Sequence, residues 1–406
     1  MTAPSLAPAP LPERILALDA LRGIAVIGIV WMNVHAFALP GPAYYNPLSY
    51  GAIGDADYRV WLASFVFIED KFRTLFAMLF GAGCLILIER GGETPWRAHY
   101  ARMIALFAIG LVHATLLASN DVLRAYALAG LAMPLLAGLS ARALVAVSLG
   151  LLVTHLALGM TAFGGAMIDF TTQRSGSDAL LFMERQFGRD PAAITMLLEQ
   201  GREGIGERIV RRTLGIPAQM ATLIASLPLN LAAIALGIGL WRGGMLKGEW
   251  RIFHLQRLAG FSALLAIPAL LGLAGWLVAE GFPAALVGPV ALVISAPFDT
   301  LLGVSYAALA MAFLGRDTAL TRTLAAVGRL SLTNYLMTSM ILAAIFAPWG
   351  LGLFGTVTRT LAFGLSFVPI IAMLAWSPLW VAKVGQGPFE RLWRAAAGAL
   401  SYRRKT

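Results

Sequence analysis

Charge is what this chain has least of. Asp, Glu, Lys and Arg together make up 13% of its 406 residues, against 59% hydrophobic positions. A soluble domain carries about a quarter of its residues charged, so this composition excludes an ordinary water-soluble fold. Cysteine is nearly absent. The one thiol, Cys84, excludes an intrachain disulfide and any thiolate metal cluster. Also missing are GxxxxGK[ST], HExxH, GxSxG and CxxC, the common signatures of P-loop ATPases, zinc proteases, serine hydrolases and thiol oxidoreductases. No Asn-x-Ser/Thr sequon occurs, which fits a bacterial protein. No basic run is interleaved with exposed aromatics, so the formal charge of +10 does not point to nucleic acid.

What is present is a series of membrane-length apolar runs. They predict an all-α, polytopic helical bundle of about ten transmembrane helices. The predicted spans run over Leu16–Leu39, Val60–Ile88, Ala101–Ala118, Leu123–Leu139 and Ala143–Met167. They continue over Thr213–Trp241, Leu258–Ala279, Ala284–Leu314, Leu324–Phe346 and Val357–Val381. The bundle is expected over 14–385, after an Ala/Pro-rich disordered tail (1–13) and before a basic cytoplasmic tail (386–406). Lys and Arg collect in alternate connections, which places both termini in the cytoplasm and accounts for most of the positive charge. The segment 169–212 is expected outside, as an extracytoplasmic loop with amphipathic helices. Localisation in a bacterial inner membrane follows. No internal repeat of the inverted-transporter kind is visible.

Ionisable groups inside a span need partners, and each is a candidate functional residue. In RILALDALRGIAVIGIVWMN, Asp19, Arg22 and Asn33 share a face with Val26 and Ile29, and Asp19 and Arg22 can pair. His35 follows, pointing about 200° from that stripe on a continuing helix. FVFIEDKFRTLFAMLFGAG sets Glu69, Asp70, Lys71 and Arg73 before a small-residue span, with Glu69 and Arg73 at pairing distance (i,i+4). The alternative is a charged helix entrance on a glycine packing surface. His113 falls midway along the third predicted span, as a general base, a proton relay or a neutral interhelical donor. His155 repeats that logic, whereas His99 and His254 fall in basic loops and read as solvated. In SNDVLRAYALAG, Ser119, Asn120 or Asp121 can cap the helix, and Asp121 suits its positive end, leaving Arg124 and Tyr126 without so ready an account. GRLSLTNYLMTSM gathers Ser331, Thr333, Asn334, Tyr335 and Ser339 into a polar patch that suits interhelical bonding or substrate orientation. Asp299 is a further intramembrane acid. RGGMLKGEWR and GQGPFERLWR suit phosphate groups or anionic headgroups alike.

Five ordered motifs carry a resemblance: R-x-x-x-LDALRGIAVIGIVWMN, FRTLFAMLFGAG, H-x7-DVLRAYALAG, GRLSLTNYL and GPFERLWR. In that order they resemble the YeiB-like membrane proteins, the domain-of-unknown-function 418 family, over nearly the whole chain. The LDALRG helix ending in Asn is also similar to the first helix of transmembrane acyltransferases such as heparan-α-glucosaminide N-acetyltransferase. That resemblance implies acyl transfer from cytoplasmic acyl-coenzyme A to an acceptor on the far side, and it carries over Asp19, Arg22 and Asn33. The histidine of that family lies further into the following loop, where this chain has YYNPLSYGAIG, with His35 near but offset.

On this reading no cofactor is permanently bound and no metal is held; acyl-coenzyme A is the cosubstrate. Arg242, Lys247, Arg251 and Arg329 would hold its phosphates. His35 or His113 would take the acceptor proton and Asn33 would stabilise the oxyanion. Glu69, Arg73, Asp121, Arg124, Tyr126, Asn334 and Tyr335 would line the substrate site. Expected partners are membrane lipids and a small-molecule, sugar or lipid-linked acceptor, with a homodimer compatible and nucleic acid excluded. The alternative is a proton-coupled transporter or flippase of a small metabolite or lipid-linked sugar, with Asp19/Arg22, Glu69/Arg73, Asp299 and His113 along its path.

Overall fold

The computed structural model describes residues 16–51, 54–91, 94–401; the expected N-terminal tail lies outside them. Helices are the regular secondary structure of the described residues, among which there is no strand. The first helix, α1 (Leu16–Ala38), leads through the short α2 (Gly41–Tyr45) to α3 (Asp55–Phe67) and α4 (Lys71–Glu89). Next come α5 (Pro95–Leu116), the pair α6 (Val122–Gly130) and α7 (Met133–Ala137), and the long α8 (Ala141–Thr171). Segment 169–212 contains α9 (Asp178–Phe187), α10 (Pro191–Gly201) and most of α11 (Ile205–Leu214). The chain re-enters the bundle through α12 (Ile216–Ala225), α13 (Leu227–Arg242) and α14 (Ile252–Ala279). A π-helical turn at Val290–Ile294 joins α15 (Ala284–Pro289) to α16 (Ala296–Phe313). The remaining helices are α17 (Ala319–Arg329), α18 (Ser331–Phe346), α19 (Arg359–Leu365), α20 (Phe367–Lys383) and α21 (Pro388–Ser401).

Seven helices among the described residues are long and apolar enough to cross a membrane, or nine if the bent pairs α12–α13 and α17–α18 each count as one span. The span expected at Leu123–Leu139 is broken into α6 and α7, because Pro134 sits at the start of the second piece. The basic end of the chain is not wholly a tail. Its residues Pro388–Ser401 form α21, which docks on α5 through Ala397 against Ala101 and Ala105.

The distribution of apolar surface marks this as a multi-pass membrane protein. The two most hydrophobic helices, α8 and α14, are the least buried, with exposed Leu149, Val153, Phe261, Leu264 and Leu265. Apolar side chains turned outward suit hydrocarbon as the solvent. The inner helices α1, α4, α13 and α16 enclose the main core, in which Leu21, Leu75, Met78, Ile234 and Ala308 are fully buried.

Glycine sets the closest helix approach. A Cβ on Gly328 of α17 would lie 1.9 Å from the Asp19 carbonyl oxygen, and one on Gly23 of α1 would lie 2.1 Å from that of Leu324. Only glycine at both positions lets these two backbones touch. This seam holds the Asp19–Arg22 turn against α17.

Candidate functional site

A break in a 35-residue span creates the first polar cluster. At the end of α3 the Ser64 carbonyl accepts from both Ile68 N and Glu69 N, and Asp70 adopts φ 58°, in the left-handed region. Aspartate tolerates that conformation better than most residues. The helix restarts at Lys71, so Glu69 and Arg73 no longer share a continuous face. The expected Glu69–Arg73 pair therefore does not form. Arg73 instead bonds Asp70 at 2.7 Å and Asn230 of α13 at 3.0 Å.

Lys71 crosses to α16, where its ammonium lies 2.6 Å from the Asp299 carboxylate, with both side chains almost fully buried. It also donates to the Phe65 carbonyl and sits over the Phe65 ring. Tyr126 of α6 donates to the Arg73 carbonyl at 2.9 Å, its ring stacked on those of Phe76 and Phe80. Tyr126 thus joins the broken helix to a second cluster on α5, α6 and α18.

That second cluster is centred on Asp121. Its Oδ2 accepts from the Arg124 backbone N–H at 2.9 Å, capping α6. Its Oδ1 lies 2.8 Å from His113 Nδ1 and accepts from Tyr335 Oη at 3.3 Å. A Cβ on Gly110 would lie 2.6 Å from Asp121 Oδ2, so a glycine is required for α5 and the α6 cap to approach this closely. With Asp121 accepting, His113 Nδ1 is the donor of the bond between them. Nε2 is buried and finds no hydrogen-bond partner among the described residues. Arg124 completes the shell, donating to Gln219 Oε1 at 2.9 Å and to the Ser119 carbonyl at 2.8 Å. An imidazole held by a carboxylate on one nitrogen has the form of a general base wherever its other nitrogen carries no proton.

The remaining candidates divide. Asp19 and Arg22 pair at 3.0 Å, as the LDALRG spacing implies, with Arg22 partly exposed. Asn33 is half-buried on α1. His35 is buried in the region of Arg359 rather than among the α5–α6 groups. Arg359 donates to the Ala43 and Tyr44 carbonyls and lines a cavity of about 330 Å³ with Asp57 and Tyr50. Neither Arg359 nor Asp57 carried a motif in the sequence; only their positions at the edges of apolar runs could have singled them out.

His113 lies in the last turn of α5 rather than midway, since that helix starts at Pro95. His99 is not solvated: it is buried with Nε2 2.8 Å from the Gly130 carbonyl oxygen. Asn334 is engaged by Val327, Ser377 and Trp376, which makes it a helix-joining amide. Tyr335, its neighbour, reaches the Asp121 cluster instead.

Of the four basic residues proposed for phosphates, Arg242 ends α13, Lys247 and Arg251 lie on the connection from α13 to α14, and Arg329 lies on α17. Arg242 donates to the Leu139 and Ala137 carbonyls, and Lys247 lies over Trp241. Arg329 ends α17 beside the glycine seam. Arg251 lines a surface groove of about 570 Å³ with Trp250, His254, Arg257 and Phe261. Among the described residues no group of three or more His, Cys, Asp or Glu side chains could hold a metal ion.

Fold and site together define an all-α polytopic membrane protein with a buried acid–base network across its broken helices. Within that class the chain belongs to the YeiB-like family. Residues 240–399 match the family model described as protein of unknown function (DUF418). The chain is 31% identical over 404 residues to uncharacterized protein YeiB of Escherichia coli (strain K12), covering 96% of this chain and 99% of that protein. It is 28% identical over 408 residues to uncharacterized protein YxaH of Bacillus subtilis (strain 168), covering 97% and 96%. A 39.9 kDa protein from the amylase 3' region of Bacillus acidopullulyticus shares 34% identity over 130 residues, 31% of this chain and 35% of that one.

Proposed function

We propose that the protein is an inner-membrane acyltransferase, with both termini in the cytoplasm and His113 as its general base. The observation that carries this reading is the His113–Asp121 pair: Nδ1 held at 2.8 Å by a buried carboxylate, Nε2 buried and without a partner among the described residues. His113 Nε2 takes the proton of an acceptor hydroxyl or amine. The freed oxygen or nitrogen attacks the thioester carbonyl of acyl-coenzyme A. The resulting oxyanion collapses, the C–S bond breaks, and the proton passes from imidazolium to the departing thiolate. Asp121 holds the ring and faces the positive charge it gains, while Tyr335, 3.3 Å from the same carboxylate oxygen, steadies the carboxylate.

Turnover of labelled acetyl-coenzyme A by purified protein in lipid tests this, once an acceptor screen supplies a substrate. H113Q and D121N should lower kcat on the order of 10²–10⁴-fold. Binding of acetyl-coenzyme A should be unchanged. Unaltered turnover in H113Q sinks the assignment.

A second reading rests on a different observation, the buried Lys71–Asp299 pair at the break of a span. Charges at such breaks line ion and substrate paths in transporters. Proton-coupled uptake into proteoliposomes that is lost in D299N, with no acetyl-coenzyme A binding, would favour transport.

A further inference from the structure

Segment 201–214, around α11, carries Arg202, Arg208, Arg211 and Arg212 against Glu203 and Glu207. Arg208, Arg211 and Arg212 are spaced i, i+3 and i+4 and so share one face of α11. Their counter-charges are unevenly shared. Arg211 holds both oxygens of Glu203 at 2.8 Å, and Glu207 faces its own Gly204 N–H. Arg208 has one bond, to the Gly201 carbonyl at 3.1 Å. Arg212 has two long ones, to the carbonyls of Ala114 and Thr115 at 3.4 and 3.5 Å.

These carbonyls belong to the two residues after His113. A second link runs from Arg124 through Gln219, whose Nε2 donates to the Arg212 carbonyl at 3.0 Å. Arg212 thus sits beside the end of α5 that carries His113, with Arg208 one turn before it on α11. Burial together with the charges of Arg208 and Arg211 pushes Arg212 down to about 10, and Arg208 is lowered too. The anion within reach of both is Glu203, whose two oxygens are already held by Arg211.

We propose that Arg208 and Arg212 bind a phosphate group of the acceptor, holding its nucleophile at His113. The proposal rests on the acyltransferase reading for its role and on the arginine geometry for its ligand. Two guanidinium groups one turn apart present forked N–H donors to a tetrahedral anion, the recognition for which arginine is suited. The phosphate comes from a soluble phosphate ester or diphosphate, or from a lipid headgroup.

The test titrates full-length protein in detergent with inorganic pyrophosphate and, in parallel, with short-chain phosphatidylglycerol. Saturable binding should weaken tenfold or more in R208Q and in R212Q, and less in R208K and R212K. E203Q, which releases Arg211, should tighten it several-fold, and H113Q should leave it unchanged. Binding of pyrophosphate points to the soluble or diphosphate source; binding of phosphatidylglycerol alone points to the headgroup. Absence of saturable binding by either probe, or binding indifferent to both arginines, overturns the proposal. Arginine-dependent binding with turnover unaffected by H113Q would remove the acyltransferase reading and leave the phosphate site standing. Turnover lost in H113Q without arginine-dependent binding would do the reverse.

Discussion

Removing one member of the Lys71–Asp299 pair should cost more than removing both. At 2.6 Å and an effective dielectric of about 20, the attraction amounts to about 6 kcal/mol. Desolvating two ions offsets most of it, at several kcal/mol per ion. The net value of the pair is therefore small, but a single survivor keeps its desolvation cost and loses its partner. K71M strands a carboxylate among apolar side chains, and D299L strands an ammonium. Each should destabilise by about 3–5 kcal/mol. The double variant replaces both ions with apolar groups of similar volume and should recover most of that loss. The coupling energy read from the cycle should exceed about 2 kcal/mol, well outside the additivity expected of independent sites. Equilibrium unfolding in mixed micelles, followed by tryptophan fluorescence, measures all four proteins. Single variants within about 0.5 kcal/mol of the parent, or additive losses in the double, would refute the reasoning.

Gly328→Ala should separate α17 from α1, since its Cβ meets backbone at 1.9 Å; a loss above about 2 kcal/mol is expected. Gly272→Ala, which meets nothing within 4 Å, is the control and should be neutral or slightly stabilising in the same unfolding assay. Asn334→Ala removes an amide bonded to Val327, Ser377 and Trp376 and should cost about 2–3 kcal/mol, read as a lower melting temperature. Glu390 accepts from Thr333 N and Thr333 Oγ1 at the start of α18; E390A should loosen that helix by about 1–2 kcal/mol and speed amide exchange there. An exchange rate at Thr333 unchanged in E390A would show that α21 does not secure α18.

The parts legible in the sequence are those set by local spacing. Asp19 and Arg22 lie three apart on one turn and do pair. Asp121 precedes an apolar run and does cap it. Periodicity and apolar length also sufficed for the helical class, because hydrocarbon admits few alternatives. What local spacing cannot carry is the pairing between distant segments. Nothing near Lys71 announces Asp299, and nothing near His113 announces Tyr335. The Glu69–Arg73 pairing presumed an unbroken helix, whereas Asp70 in the left-handed region ends one helix and allows another to start. His99 looked solvated because its neighbours are basic, but α5 starts at Pro95 and carries that histidine into the bundle against Gly130.

The glycine seam between α1 and α17 has a consequence for synthesis. The first helix leaves the ribosome about 300 residues before the helix that closes upon it, a delay of roughly 15–60 s at ordinary elongation rates. Throughout that interval the groove around Gly23 and the Asp19–Arg22 turn face the translocon or lipid without α17. The nascent chain must therefore hold its first helix open, and a membrane-insertion chaperone that shields small-residue grooves would find its longest-lived client there.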